Sequence, residues 1–139
     1  MPPTLGRTGA TCTLGGLPSY VVKVTNVAQI QLVFNFARHL NLRVTVKNKG
    51  HDFNAKSVGA GSISIWTNFL DTIQYLGATF TSGSYTGPAF KIGAGVGTMK
   101  VYEAADALDL VVVAGIARVS QLCLHRLLAR IPMLSYAFI

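Results

Sequence analysis

The sequence predicts a mixed α/β (α+β) fold that opens with a βαβ unit, and three observations carry that expectation. Residues 20–24, YVVKV, are short, β-branched and apolar, as a buried strand would be. Residues 27–40 place Val27, Ile30, Val33, Phe34, Ala37 and Leu40 at helical spacing, which gives one apolar face. Residues 42–46, LRVTV, return to strand character. Strand, helix and strand in so short a span call for two parallel strands joined by a right-handed crossover.

Local signals punctuate that unit. Asn26 precedes the helical run and Gln29 follows three residues later, an N-cap and its reciprocal partner. Asn41 can end the helix, ahead of the return to strand character at residues 42–46. Beyond the second strand, residues 47–61 turn polar and glycine-containing. Residues 62–67, SISIWT, then alternate small polar and apolar side chains like a half-buried strand. Residues 70–76 do not distinguish between element types. Residues 79–87, rich in Thr, Ser and Gly, read as a turn or hairpin tip. Residues 89–93, AFKIG, read as a strand and residues 98–108 as a helix with Val101, Ala104, Ala105 and Leu108 on one side. Residues 110–114, LVVVA, read as another buried strand.

Composition narrows the function classes. In 139 residues, half are apolar and 12% charged, which excludes a disordered chain. Twelve Lys and Arg against five Asp and Glu leave a formal charge of +7, compatible with a phosphate-rich partner. The basic residues are scattered rather than run together, so no nucleic-acid arm is expected. No run of 18 apolar residues exists, so a membrane-spanning helix is not expected. Cys12 and Cys123 are too few for a metal site of their own, and no metal site is expected. The start, MPPTLGRTGATC, lacks the apolar centre of a secretion signal, which leaves the compartment open.

The stretch that could carry chemistry is residues 47–57, KNKGHDFNAKS, which leaves the second parallel strand. In open α/β sheets the ligand crevice lies beyond the carboxyl ends of the strands, where this loop belongs. Gly50 lets a bound group approach the backbone, and successive N–H groups in such a turn form a hollow for an anion, with Lys47 and Lys49 adding positive field. His51 is compatible with a base, a metal ligand or an attachment point. Asp52 would oppose a phosphate if it pointed inward, so it is expected to turn away and bond to its own loop. The plain alternative is a solvated connection with ordinary lysines. GAGVG at 93–97 lacks the full G-x-G-x-x-G spacing and an acidic partner downstream, and reads first as a structural turn.

Residues 12–67, from CTLGGLPSYVVKV through FARHLNLRVTVKNKGHDFNAKS to SISIWT, resemble the start of the flavin domain of the vanillyl-alcohol-oxidase superfamily. They are most similar to its berberine-bridge-type, FAD-linked oxidoreductases of fungal secondary metabolism. The family pattern pairs K-N-T-G-H-D with a following G-[KR]-S and continues through I-W-T, G-A-G-V and V-V-x-G, so that the resemblance extends to about residue 115. It implies the first part of a PCMH-type FAD-binding domain at 20–115, an extension at 1–19 and a non-matching tail at 116–139. It further implies FAD as cofactor, with a small organic metabolite as substrate and O2 as electron acceptor. Lys47, Asn48, Lys49, Gly50, His51, Asp52, Phe53 and Ser57 become the expected cofactor-binding residues, with His51 the candidate for a covalent bond to the flavin. Family members are often secreted, and Cys12 matches a cysteine that is often disulfide-bonded. Trp66 and Tyr75 are read as core aromatics rather than flavin-stacking groups.

Three departures accompany the resemblance. Lys49 stands where threonine is usual, and Ala55 where glycine is usual. If that second position needs φ > 0, alanine there costs about 1 kcal/mol. After Gly115 the family's glycine-rich continuation is not matched. Residues 116–139 contain Arg118, Arg126, Arg130 and five leucines but no acid. That composition suggests either a frameshift, splice or gene-model product with little activity, or a short form whose basic amphipathic segment docks on a membrane or partner.

Overall fold

The computed structural model describes residues 13–49 and 52–114; Gly50, His51, both cysteines and residues 115–139 lie outside the described residues. The chain divides into two compact units, Met1–Phe69 and Leu70–Ile139.

In the first unit, β1 (Tyr20–Lys23), α1 (Val27–His39), β2 (Val44–Lys47) and β3 (Ile63–Trp66) follow in chain order, with a single 3-10 turn at Thr67–Phe69. All three strands are parallel, in the order β1-β3-β2. The two strands of the expected βαβ unit therefore run parallel but are not neighbours, because β3 is inserted between them. Nothing in the periodicity of either flanking strand announces that insertion. Its consequence for burial is direct. β3 is covered on both sides, with Ile63, Ser64 and Ile65 all buried, rather than half-buried as its alternation suggests. β1 becomes an edge and is exposed, Tyr20 at 74% and Val21 at 57%, where the apolar run points to burial.

The helix forms for the reasons visible in its sequence, with one shift. The Asn26 side chain accepts the Gln29 N–H at 3.0 Å, as an N-cap should. The Gln29 side chain does not return to Asn26; it accepts the Thr25 N–H at 2.7 Å, one residue earlier. Asn41 adopts φ 52°, and the Leu42 N–H donates to the Ala37 carbonyl at 2.8 Å while that of Asn41 reaches Arg38 at 3.4 Å. That pair of bonds is the left-handed closure of a Schellman motif. Of the predicted apolar face only Val33 and Ala37 are fully buried; Val27, Phe34 and Leu40 remain exposed. A three-stranded sheet is narrower than the apolar arc the helix presents.

The second unit contains β4 (Ile73–Tyr75), β5 (Phe80–Ser82), β6 (Tyr85–Gly87), β7 (Phe90–Ile92) and α2 (Thr98–Asp106). β5 and β6 form the expected hairpin, with Gly83 at φ 58° in its two-residue turn, and β4 pairs antiparallel with β7. Val96 and Val101 centre a small core with Ile73, Ile92, Val112 and Ala114. Residues 110–114 do not form the expected strand. Val112 and Ala114 pack on that core while Val111 and Val113 face outward, an alternation that is extended but has no ladder partner among the described residues.

Candidate functional site

The register of the parallel sheet builds the site. Lys23 of β1 and Lys47 of β2 both pair with Trp66 of β3, so the three strands end level, in a row of lysine, tryptophan and lysine. Alternation puts Val21 and Thr45 on the same sheet face as Ser64 and the row itself. On that face lies a cavity of about 600 Å³, which reaches the carboxyl ends of β2 and β3. Leu14, Leu17, Val21, Val58 and the Trp66 ring give it an apolar interior, and Lys47, Asn48 and Lys49 stand along it. Such a cavity suits a planar ring system carrying an anionic group.

The start of the loop is fastened to β3 by its carbonyls. The Trp66 Nε1–H donates to the Asn48 carbonyl at 2.9 Å, and the Thr67 hydroxyl donates to the Lys47 carbonyl at 3.4 Å. Trp66 in turn meets Phe69 edge-on at 4.8 Å between ring centres, and the Lys23 ammonium sits 4.0 Å over the Phe69 ring. Trp66 is thus 36% exposed and lines the cavity, not a core aromatic, and Tyr75 is exposed to a similar degree. Position at the end of the central strand, which only the register reveals, is what distinguishes a cavity wall from a core residue.

Further along the loop, Asp52 behaves as the sequence leads one to expect. Its carboxylate accepts the backbone N–H groups of Ser57 and Asn54, closing the segment on itself and leaving the charge turned into its own loop. The Ser57 hydrogen bonds, with help from the Asn54 and Lys56 backbone, hold this carboxyl below the usual aspartate range. A depressed pKa means that the closure is intact above the ordinary value and is lost as pH falls through the lowered one. The Ser57 amide resonance therefore should titrate only at pH below the ordinary aspartate range. Asp52→Asn is expected to flatten that titration and to speed amide hydrogen exchange at Ser57; an unchanged profile would contradict the closure.

Ala55 has φ 55°, the conformation its replacement of the family's usual glycine called into question. A side chain in that region is strained, so Ala55→Gly is expected to stabilise the first unit by about 1 kcal/mol, read as a higher denaturant midpoint at constant slope. Phe53, by contrast, is 97% exposed and makes no contribution to the cavity wall. Of the expected site residues, Lys47, Asn48 and Lys49 come together on the cavity, while Asp52 and Ser57 shape the loop. Gly50 and His51 lie outside the described residues. Leu14, Leu17, Val21, Val58, Ser64 and Asn68 were not anticipated as lining residues, since no motif marks them.

The second glycine-rich turn is structural. The Gly93 N–H donates to the Thr72 carbonyl and the Gly95 N–H to the Leu70 carbonyl, both at 2.8 Å, so two amides a phosphate would need are already used. A Cβ at Gly93 would run into the Leu70 carbonyl, which accounts for glycine there. Among the described residues no His, Cys, Asp and Glu cluster could hold a metal ion, and no helix is long and apolar enough to cross a membrane.

No family model matches the chain. It is 44% identical over 92 residues to the bifunctional decalin synthase calF of Penicillium decumbens and 39% identical over 104 residues to the FAD-linked oxidoreductase patO of Aspergillus clavatus. These alignments take in 66% and 75% of this chain but only 16% and 18% of those proteins. Among solved structures, the VAO-type flavoprotein MtVAO615 of Myceliophthora thermophila C1 matches with a TM-score of 0.74 and 38% identity over 78% of this chain and 20% of its own. A second VAO-type flavoprotein of that organism, MtVAO713, matches with a TM-score of 0.73 and 31% identity, over 84% of this chain and 21% of its own. The chain thus spans less than a fifth of the length of the first curated relatives it matches.

Proposed function

This chain belongs to the VAO-type, FAD-linked oxidoreductases, and from that premise we propose that it forms the phosphate-binding part of an FAD site in an oxidase. Its substrate would be a small organic metabolite of the kind handled in fungal secondary metabolism, with O2 as the electron acceptor. The observation that carries this reading is the apolar cavity on one face of three parallel strands, with Lys47 and Lys49 among its lining residues where β2 ends.

The residues present fit the group. An apolar interior accepts a flat ring, and two ammonium groups beside it favour the pyrophosphate. The one carboxylate of the loop is withdrawn by its bonds to Ser57 and Asn54, so it does not oppose the anion. Lys47, Asn48 and Lys49 would bind and orient the phosphates, with Gly50 allowing close backbone approach. Asp52 and Ser57 would keep the loop closed. His51 is the candidate attachment point for the flavin, by the resemblance alone. When bound, flavin supplies two-electron acceptance from the substrate and return of those electrons to O2.

With two lysines and a single loop as its phosphate contacts, the chain alone is expected to retain flavin weakly and to show no turnover. Calorimetric titration with FAD, ADP and riboflavin tests the reading. FAD and ADP should bind and riboflavin should bind more weakly than FAD. Equal affinity for FAD and riboflavin, or no binding of either phosphate-bearing ligand, would overturn it.

A further inference from the structure

We infer that Trp66 is a positioning residue, whose indole N–H, held on the Asn48 carbonyl, sets the loop so that Lys47 and Lys49 present their charges to phosphate. The inference rests on the proposed phosphate site and adds to it a residue that acts through the loop rather than on the ligand.

The geometry is specific to this position. Two successive carbonyls, of Lys47 and Asn48, are held by two successive residues, Thr67 and Trp66. Peptide groups are planar and trans, so fixing the direction of a carbonyl also fixes its plane and the directions of the Cα atoms on either side. Fixing these two planes therefore sets where the stems of Lys47 and Lys49 begin. The indole is itself immobilised, edge-on against Phe69, and Phe69 is capped by the Lys23 ammonium. A chain of contacts thus runs from β1 through the 3-10 turn to β3 and ends at the loop. An indole N–H needs an acceptor of some kind, and what matters here is which one it takes. The single polar group of Trp66 is directed at the backbone of the loop.

Because Trp66 is the only tryptophan in the chain, one atom can be changed without touching anything else. Expression in a tryptophan auxotroph supplied with β-(3-benzothienyl)alanine replaces the indole N–H by sulfur and retains the ring, its contact with Phe69 and its place in the cavity wall. Calorimetry with FAD and riboflavin then separates positioning from packing. The isostere is expected to raise the FAD dissociation constant about five- to tenfold, the scale of one lost hydrogen bond to a loop that must stay ordered, with riboflavin affinity unchanged. Thr67→Val, which removes the second tether and nearly conserves shape, is expected to show the same selectivity to a smaller extent, and it serves if the isostere does not fold. Equal weakening of both ligands, or of neither, in the variants overturns the inference. Absence of any preference for FAD over riboflavin in the unmodified chain overturns it too, and is recognised separately because it is seen before any residue is changed.

Discussion

Replacing Lys47 and Lys49 together by glutamine weakens FAD and ADP binding about ten- to thirtyfold, with the loss largest at low ionic strength and smaller near 1 M salt. Lys47 and Lys49 both line the apolar cavity, Lys47 half-buried and Lys49 exposed, so the pair is expected to contribute more than two isolated surface charges but less than buried ones. Both remain in contact with water, so salt screens them over roughly 3 Å at 1 M against about 10 Å at 0.1 M. Riboflavin binding should be indifferent to the double substitution. A uniform loss for all three ligands at every salt concentration would mean that the lysines support the loop fold rather than the anion.

The second large effect falls on stability. Ile65 sits in the middle of the central strand at 1% exposure, between two parallel neighbours. Ile65→Ala removes buried methyl groups from a strand that cannot move without breaking two ladders, and is expected to cost about 2–5 kcal/mol. Urea denaturation followed by Trp66 fluorescence reads this directly, since Trp66 is the next residue along the strand. A cost below about 1 kcal/mol would mean that β3 is not the covered centre of the sheet.

The range of the interactions involved separates the features legible in the sequence from those that were not. The helix at Val27–His39 was legible because its determinants are local: Asn26 caps it, Asn41 closes it, and Val33 and Ala37 recur at helical spacing. Even there, Gln29 reached Thr25 instead of Asn26, a choice between adjacent amides that spacing does not decide. The orientation of Asp52 was legible for the same reason, since an aspartate's preference for amides a few residues on is local chemistry. The positive φ of Ala55 was legible only as a question, raised by the glycine that the resemblance places there.

Non-local facts were not legible. Strand order is one. β3 enters between β1 and β2, and that insertion decides the exposure of Tyr20, the burial of Ser64 and the position of Trp66. The apolar run at 110–114 is another, because apolar and β-branched residues do not say which edge, if any, an extended segment pairs with. The cavity wall is a third: Leu14, Leu17 and Val58 belong to no motif and meet only through folding.

In the proposed site, residues 47–57 and the adjoining cavity receive the phosphates of FAD. Amide chemical-shift mapping of the isotopically labelled chain during titration with ADP tests this most directly, because it reports where the anion goes without requiring turnover. Shifts are expected to concentrate at residues 47–57 and in the Trp66 indole N–H, with residues 93–97 unmoved. Shifts centred on residues 93–97 with a silent 47–57 loop would contradict it.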